Sequence, residues 1–432
     1  MIRNNSKALV AFLFALMAFV GVKAQNGANS PMTRYGFGQL ADQNTGLNRA
    51  MGGIGIGLRD NTQINLHNPA SYAAVDSLTC LFEVGFSMQN ANFSDGTTSL
   101  NAKNSSFDYL AMQFRLFKGM GMTLGFLPYS NIGYNFSSTG SMPAGSMWDD
   151  PVTVTRSNVG DGGLHQAFVG VGYDVLKNLS VGLNVSYMFG EISHKASATF
   201  SDANIYPLVR NYFGEISDVK LDFGAQYVLN VGKKDYLTLG ATYSLGKDLN
   251  ATEAYISEQK LNGSAVLAET VKHISKPFQL PHAVGVGATY VHDKRLTVGA
   301  DFLWQKFSGI RFFGEEGTLA DRLKASVGAQ YHPDPVGQGG FFKRMKYRVG
   351  AYYSKPYVKV DGQDAAHEYG VGGGIAFPIS TWGWLTQRSI INISGEWVRI
   401  EPKMKGVLTE NYLRLSIGLT FNERWFMKQK VR

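Results

Sequence analysis

The sequence comprises 432 residues, of which 17% are charged and 12% aromatic, with 50 glycines and a single cysteine. That balance excludes a disordered chain and falls short of the roughly 25% charge of ordinary soluble domains, while one cysteine excludes an intrachain disulfide framework. The net charge of +8 is mild for the length and comes with no basic stripe or recognisable module, so no nucleic acid partner is expected. In chain order, residues 1–24 read as a secretory signal peptide. Arg3 and Lys7 form its positive end, an apolar run spans Ala8 to Val22, and Val22-Lys23-Ala24 supplies small residues for cleavage before Gln25. Beyond Ala24 no apolar run approaches the roughly 18 residues that a membrane helix requires, so crossing by helices is excluded.

Residues 25–77 form a glycine-rich segment with three notable stretches. These are Arg34-Tyr35-Gly36-Phe37-Gly38, Gly52-Gly53-Ile54-Gly55-Ile56-Gly57 and Asn68-Pro69-Ala70. It is too apolar for a loose tail and too rich in glycine for a regular helix or strand, which suits a plug folded into a lumen. Pro69 fixes its own φ and biases Asn68 toward extended geometry. Asn68 can then bond nearby backbone groups and hold a turn.

From residue 78 to 421 the chain alternates with period two, as strands with unlike faces do. Leu179, Val181, Leu183, Val185, Tyr187 and Phe189 point one way, and Ser180, Gly182, Asn184, Ser186 and Met188 the other. The polar face is small, glycine-rich and sparsely charged, and aromatics sit on the apolar face near strand ends. That is the inverted pattern of an outer-membrane barrel, apolar outside and polar inside. An apolar-Gly-Ala-x-Tyr repeat recurs at Phe223–Tyr227, Leu239–Tyr243, Val286–Tyr290, Val327–Tyr331 and Val349–Tyr353. A tyrosine there can lie at headgroup depth. The pattern predicts fourteen antiparallel strands, an even number as bacterial barrels require, in an all-β transmembrane barrel with an N-terminal lumen plug. Long outer loops are expected near 135–163, 196–211 and 250–279, and a periplasmic tail at 422–432. Glu83, Arg115, Asp222, Asp301, Lys324, Arg348, Glu396 and Arg414 fall on the inward face, where charges usually hold a plug or wall. The densest basic stretch, Lys343, Arg344, Lys346 and Arg348, reads as a solvated turn and strand start.

The plug, the strand count and the wording Gly46-Leu47-Asn48-Arg49-Ala50-Met51-Gly52-Gly53 followed by Asn68-Pro69-Ala70 resemble the FadL family of outer-membrane hydrophobic-compound transporters. The resemblance implies residence in the outer membrane of a Gram-negative bacterium, with outer-membrane lipid around the barrel and a hydrophobic ligand such as a long-chain fatty acid. It also implies an inward kink in the third strand. Carried over, Phe126, Leu127 and Pro128 would line a lateral exit; the alternative is that Pro128 lies at the outer rim, where the strand is ending.

No catalytic residue, metal set or cofactor is expected. Gly36-x-Gly38-x-x-Ala41 matches a dinucleotide fingerprint only formally, since no strand precedes it. The eight histidines are scattered, and Asp149, Asp150 and Asp161 suit a solvated loop better than a cation site. Two functions remain: a channel for a hydrophobic small molecule, or a non-transporting accessory barrel in an outer-membrane protein assembly or secretion complex. Trp425 and Phe426, beyond the last strand, point to an outer-membrane or periplasmic protein partner.

Overall fold

A computed structural model describes residues 28–96, 98–142, 151–336, 338–360, 362–379, 389–403 and 408–424. The expected signal peptide, Trp425 and Phe426 lie outside them. Fourteen antiparallel strands form the wall among the described residues. They are β1 (Thr79–Ser94), β2 (Ser99–Phe117), β3 (Met120–Pro128, continued by Ser130–Met142), β4 (Val152–Asp174), β5 (Leu179–Phe200) and β6 (Leu208–Asn230). Next come β7 (Asp235–Ser244, continued by Ala251–Asn262), β8 (Ala265–His273, continued by Ala283–His292), β9 (Leu296–Gln305) and β10 (Arg322–Tyr331). The set ends with β11 (Lys346–Lys355), β12 (Ala366–Pro378), β13 (Ile390–Pro402) and β14 (Thr409–Arg424). The ladder from Thr79–Arg424 to Ser94–Thr409 joins β1 to β14 and closes the ring.

The faces are inverted as the alternation predicts. Leu413, Leu415 and Ile417 are 61%, 48% and 39% exposed, whereas Ser416 and Thr420 beside them are 5% and 1% exposed. All five repeat tyrosines lie on the outer surface. Because β6, β8 and β10 run opposite to β7 and β11, these residues separate into two girdles. Tyr227, Tyr290 and Tyr331 stand at the end of the short turns, which is the periplasmic end. Tyr243 and Tyr353 stand at the other, where their hydroxyls meet Nδ1 of His282, at 2.8 Å, and of His367.

The stretches expected as outer loops are largely strand. β3 and β4 stay paired out to Met142 and Val152, β4 and β5 out to Val154 and Phe200, and β7 pairs with β8 between Tyr255–His273 and Asn262–Ala265. Beyond the membrane both faces of a strand are wet. The ladder persists there, but the hydropathy contrast that marks it in sequence disappears.

The lumen is filled by residues 28–77, which hold three short 3-10 turns (Pro31–Arg34, Arg49–Met51 and Pro69–Ala74) and one two-residue rung, Gln39–Leu40. In the outer half Phe37 is fully buried in an apolar cluster with Ile132, Leu164, Met188, Phe278, Phe307 and Tyr357. At the periplasmic mouth Arg59 pairs with Asp174 at 2.9 Å and Asp60 with Lys346 at 3.4 Å. The chain then turns back, and Tyr72 and Val75 pack against Leu81, Tyr109 and Phe168 of the wall.

Candidate functional site

The plug meets the wall on a belt of inward glycines. Gly121, Gly172, Gly182 and Gly224 are successive register partners on β3, β4, β5 and β6. Gly240 pairs with Gly287 across β7 and β8, and Gly299, Gly328 and Gly350 follow one another on β9, β10 and β11. Five of these nine, Gly224, Gly240, Gly287, Gly328 and Gly350, are the glycines of the repeat, and each lies against the plug. A Cβ on Gly182 would collide with Pro69, on Gly240 with the Ile56 carbonyl, and on Gly328 or Gly350 with Met51, each closer than the 3.0 Å that real Cβ atoms keep. Wall and plug backbones therefore touch where any side chain would hold them apart. The repeat thus has two uses, tyrosine for the lipid boundary and glycine for the plug.

Asn68, Pro69 and Ala70 sit on this belt. Asn68 is fully buried and caps the turn Pro69–Ala74: its Oδ1 accepts from the Ala70 amide at 3.0 Å. Its Nδ2 donates to Ile56 O at 2.8 Å and to the wall carbonyls of Ala225 at 3.1 Å and Ala241 at 3.4 Å. One side chain thus ties two plug segments to β6 and β7.

Inward charges complete the seat. Arg348 donates to Gly46 O (2.8 Å) and Gln63 Oε1 (2.7 Å) of the plug, and to Gln330 and Asn392 of the wall. Asp301 accepts from the amides of Gly55 at 2.6 Å and Ile56 at 2.8 Å, and Glu83 from that of Ile64 at 2.9 Å. Asp42 is paired with Lys324 at 2.6 Å and Arg322 at 3.1 Å. Burial pushes its carboxyl up, but Lys324 and Arg322 outweigh burial and hold it well below the usual carboxylate range. Burial pushes His67 down to about 4 and keeps its ring neutral; its Nε2 lies 2.9 Å from Asn44 Oδ1, an oxygen that only accepts, so Nε2 is the donor of that bond. Asp222 pairs with Lys220, and Glu396 with Arg414 at 3.3 Å, along the wall. Arg115 lies instead at the periplasmic rim, donating to Phe117 O at 3.1 Å.

The third strand breaks after Pro128. β2 and β3 are paired only from Phe117–Met120 to Leu110–Phe126; above that level the two part, and in the wall β2 keeps its ladder with β1 and β3 with β4. Phe126 stacks on His165 at 5.7 Å and touches Phe107 and Phe189 on the outer face. Leu127 is buried against the plug, and Pro128 borders a cavity of about 140 Å³. The strand does not end there: it resumes at Ser130 and runs on to Met142.

The start of the plug lies across this gap as a strap. Asn29 bonds Asn104 of β2 (2.5 Å), Ser30 bonds Glu410 of β14 (2.6 Å), Thr33 bonds the Gly133 carbonyl of β3 (3.3 Å), and Gln39 and Leu40 pair with Asn131 and Ser130. A second cavity, of about 130 Å³, lies beyond Asp42. Arg49, Asp108, Glu368 and Arg414 border the first and Lys220, Asp222, Asp301 and Lys324 the second. Sequence reading found the plug motif, the inward charges and the proline, but not the strap or the belt. The glycines were visible in the repeat; their partners in the plug were not. Asp149 and Asp150 lie outside the described residues, and among those described no cluster of metal-ligating side chains occurs.

These features define a plugged outer-membrane β-barrel. The chain belongs to the BamG family, whose model matches residues 1–432. Its fold is shared with a Pseudomonas aeruginosa FadL homologue (TM-score 0.58, 12% identity, 91% of this chain and 100% of that one). It is shared also with the Ralstonia pickettii toluene transporter TbuX (0.57, 14%, 89% and 99%) and the P. putida toluene transporter TodX (0.57, 13%, 90% and 100%). No curated protein matches the chain in sequence.

Proposed function

We propose that this chain is a non-transporting accessory barrel of an outer-membrane protein assembly complex, its exterior serving as a docking surface. The observation that carries this is the seating of the plug. Ligand pockets are commonly about 300–1,000 Å³ and mostly apolar, whereas the cavities beside this plug are about 140 and 130 Å³ and bordered by apolar and charged side chains alike. An apolar compound would have to displace ion pairs and a backbone keyed into glycines. Membership of the BamG family supports the same reading.

A tagged full-length protein, extracted from native outer membranes in mild detergent, should migrate with an outer-membrane assembly barrel in fixed stoichiometry. Its depletion should lower the outer-membrane content of other β-barrel proteins. A monomer, with unchanged barrel content after depletion, would overturn the proposal.

The second reading is passage of a hydrophobic compound, and the break in β3 favours it. In that reading Phe126, Leu127 and Pro128 line a lateral exit, and the strap Asn29–Leu40 covers it at rest. Its measure is uptake of labelled toluene or fatty acid by cells carrying Pro128→Val, against cells lacking the protein. Uptake that is equal in both and well below wild type would favour passage through the break.

A further inference from the structure

The basic stretch Lys343, Arg344, Lys346 and Arg348 divides in the structure. Arg348 and Lys346 point to the plug, onto Gly46 and Asp60. Lys343 and Arg344 instead end a 3-10 turn, Phe341–Arg344, in the periplasmic link between β10 and β11. That turn is held in shape: Asp334 N donates to Lys343 O at 2.9 Å, Lys343 N to Gly340 O at 3.0 Å, and the Tyr347 hydroxyl to Phe342 O at 3.0 Å.

The turn displays what a folded domain normally hides. Phe341 and Phe342 are 45% and 72% exposed. Phe341 lies against Phe377 of β12 at 6.2 Å, and Phe377 shares the outward face of Ile375, two positions away on the strand. The turn therefore folds back on the lipid-facing side of the wall, beside Tyr347, whose register partner is the girdle residue Tyr331, rather than under the lumen. The Asp334 carboxylate in the same link accepts from Gly339 N, and Arg344 Nε is enclosed without an acceptor among the described residues.

We propose that this turn binds the phosphate headgroups of anionic phospholipids in the periplasmic leaflet. Phe341 and Phe342 rest at headgroup depth, where aromatic rings partition, and Lys343 and Arg344 meet the phosphate. The charge fits the ligand, the rings fit the boundary, and the fold against the outer wall sets both at the same level. An acidic protein surface would satisfy the two cations but gives no reason for the rings to lie along the membrane wall.

Native mass spectrometry of the full-length detergent-solubilised protein, titrated with phosphatidylglycerol or phosphatidylethanolamine, tests this. Wild type should retain phosphatidylglycerol preferentially, and the preference should fall with salt. Each cation at an anionic surface is worth about fivefold, so K343Q/R344Q should weaken retention about thirty-fold, while K343R/R344K should restore it. Equal retention of the two lipids by wild type would overturn the proposal whether or not any variant folds. So would a K343Q/R344Q variant that keeps its phosphatidylglycerol but loses a co-purifying protein.

Discussion

Asn68 concentrates the plug's attachment in one side chain. It caps a turn and donates to carbonyls of the plug, β6 and β7, so Asn68→Ala removes a cap worth about 1 kcal/mol and buried hydrogen bonds worth about 1 kcal/mol each. The expected outcome is an inserted barrel whose plug is cut faster by protease; an unchanged cutting rate would mean the belt alone holds the segment. His67 gives the seat a pH dependence. Its ordinary pKa is 6.5, and burial brings it to about 4 in the docked plug. As pH falls from 6.5 toward 4, a released plug binds a proton that the docked plug refuses. Docking therefore weakens across that window, by at most about 3 kcal/mol at 1.36 kcal/mol per unit. Asp42 acts in the same direction at lower pH. Its carboxylate is held ionised by Lys324 and Arg322, so its contribution is present above the ordinary value of 3.8 and is lost as pH falls below it. Protease sensitivity of the plug measured from pH 7 to 4 should rise in wild type and stay flatter in His67→Gln.

The element that decides rigidity is the strand carrying a belt glycine. An alanine at Gly350 or Gly182 brings its Cβ into the backbone of Met51 or Pro69, and overpacking of this kind commonly costs about 1–3 kcal/mol. Gly395 has open space around the same atom. Gly350→Ala and Gly182→Ala should therefore raise single-channel conductance and plug cleavage, while Gly395→Ala should change neither. Equal behaviour of all three would remove the belt as the seat. The strands themselves were legible because lipid outside and plug inside force the alternation seen in Leu179–Phe189 and Leu413–Phe421. Their outer extensions were not, because Ser137, Ser138 and Thr139 face water on either side of the ladder. Asn68-Pro69-Ala70 was legible as a turn from local chemistry. Its hold on Ala225 and Ala241, more than 150 positions away, depends on the closure of the ring, which no local pattern encodes. Pro128 marked the break in β3, yet the strap over the gap follows from pairings such as Ser30 with Glu410 that join the two ends of the chain.

At the scale of the whole molecule, wall and plug are stabilised by different means, and this makes them separable. The wall meets lipid with an apolar face and satisfies its backbone through the closed ladder from β1 to β14, the condition for spanning a membrane. The plug enters that hydrogen bonding at the break in β3, where Gln39 and Leu40 pair with Asn131 and Ser130, and the ladder between β1 and β14 does not use it. The plug is held by ion pairs, by the glycine belt and by the burial of Phe37, Leu47, Met51 and Tyr72. Deleting residues 28–77 removes these interactions together and leaves Arg322, Lys324, Arg348, Glu83 and Asp301 facing a lumen that water can enter and hydrate. The barrel should still insert and still show heat-modifiable migration on gels. Planar-bilayer recordings should show large, steady conductance for the deletion and little for the full chain, and equal conductance in both would sink the sealed-lumen model. The same deletion also separates the two functional readings, because it spares the exterior. A docking barrel should keep its stoichiometric partner when it is opened in this way, whereas a transporter should lose its selectivity for hydrophobic compounds over small polar solutes.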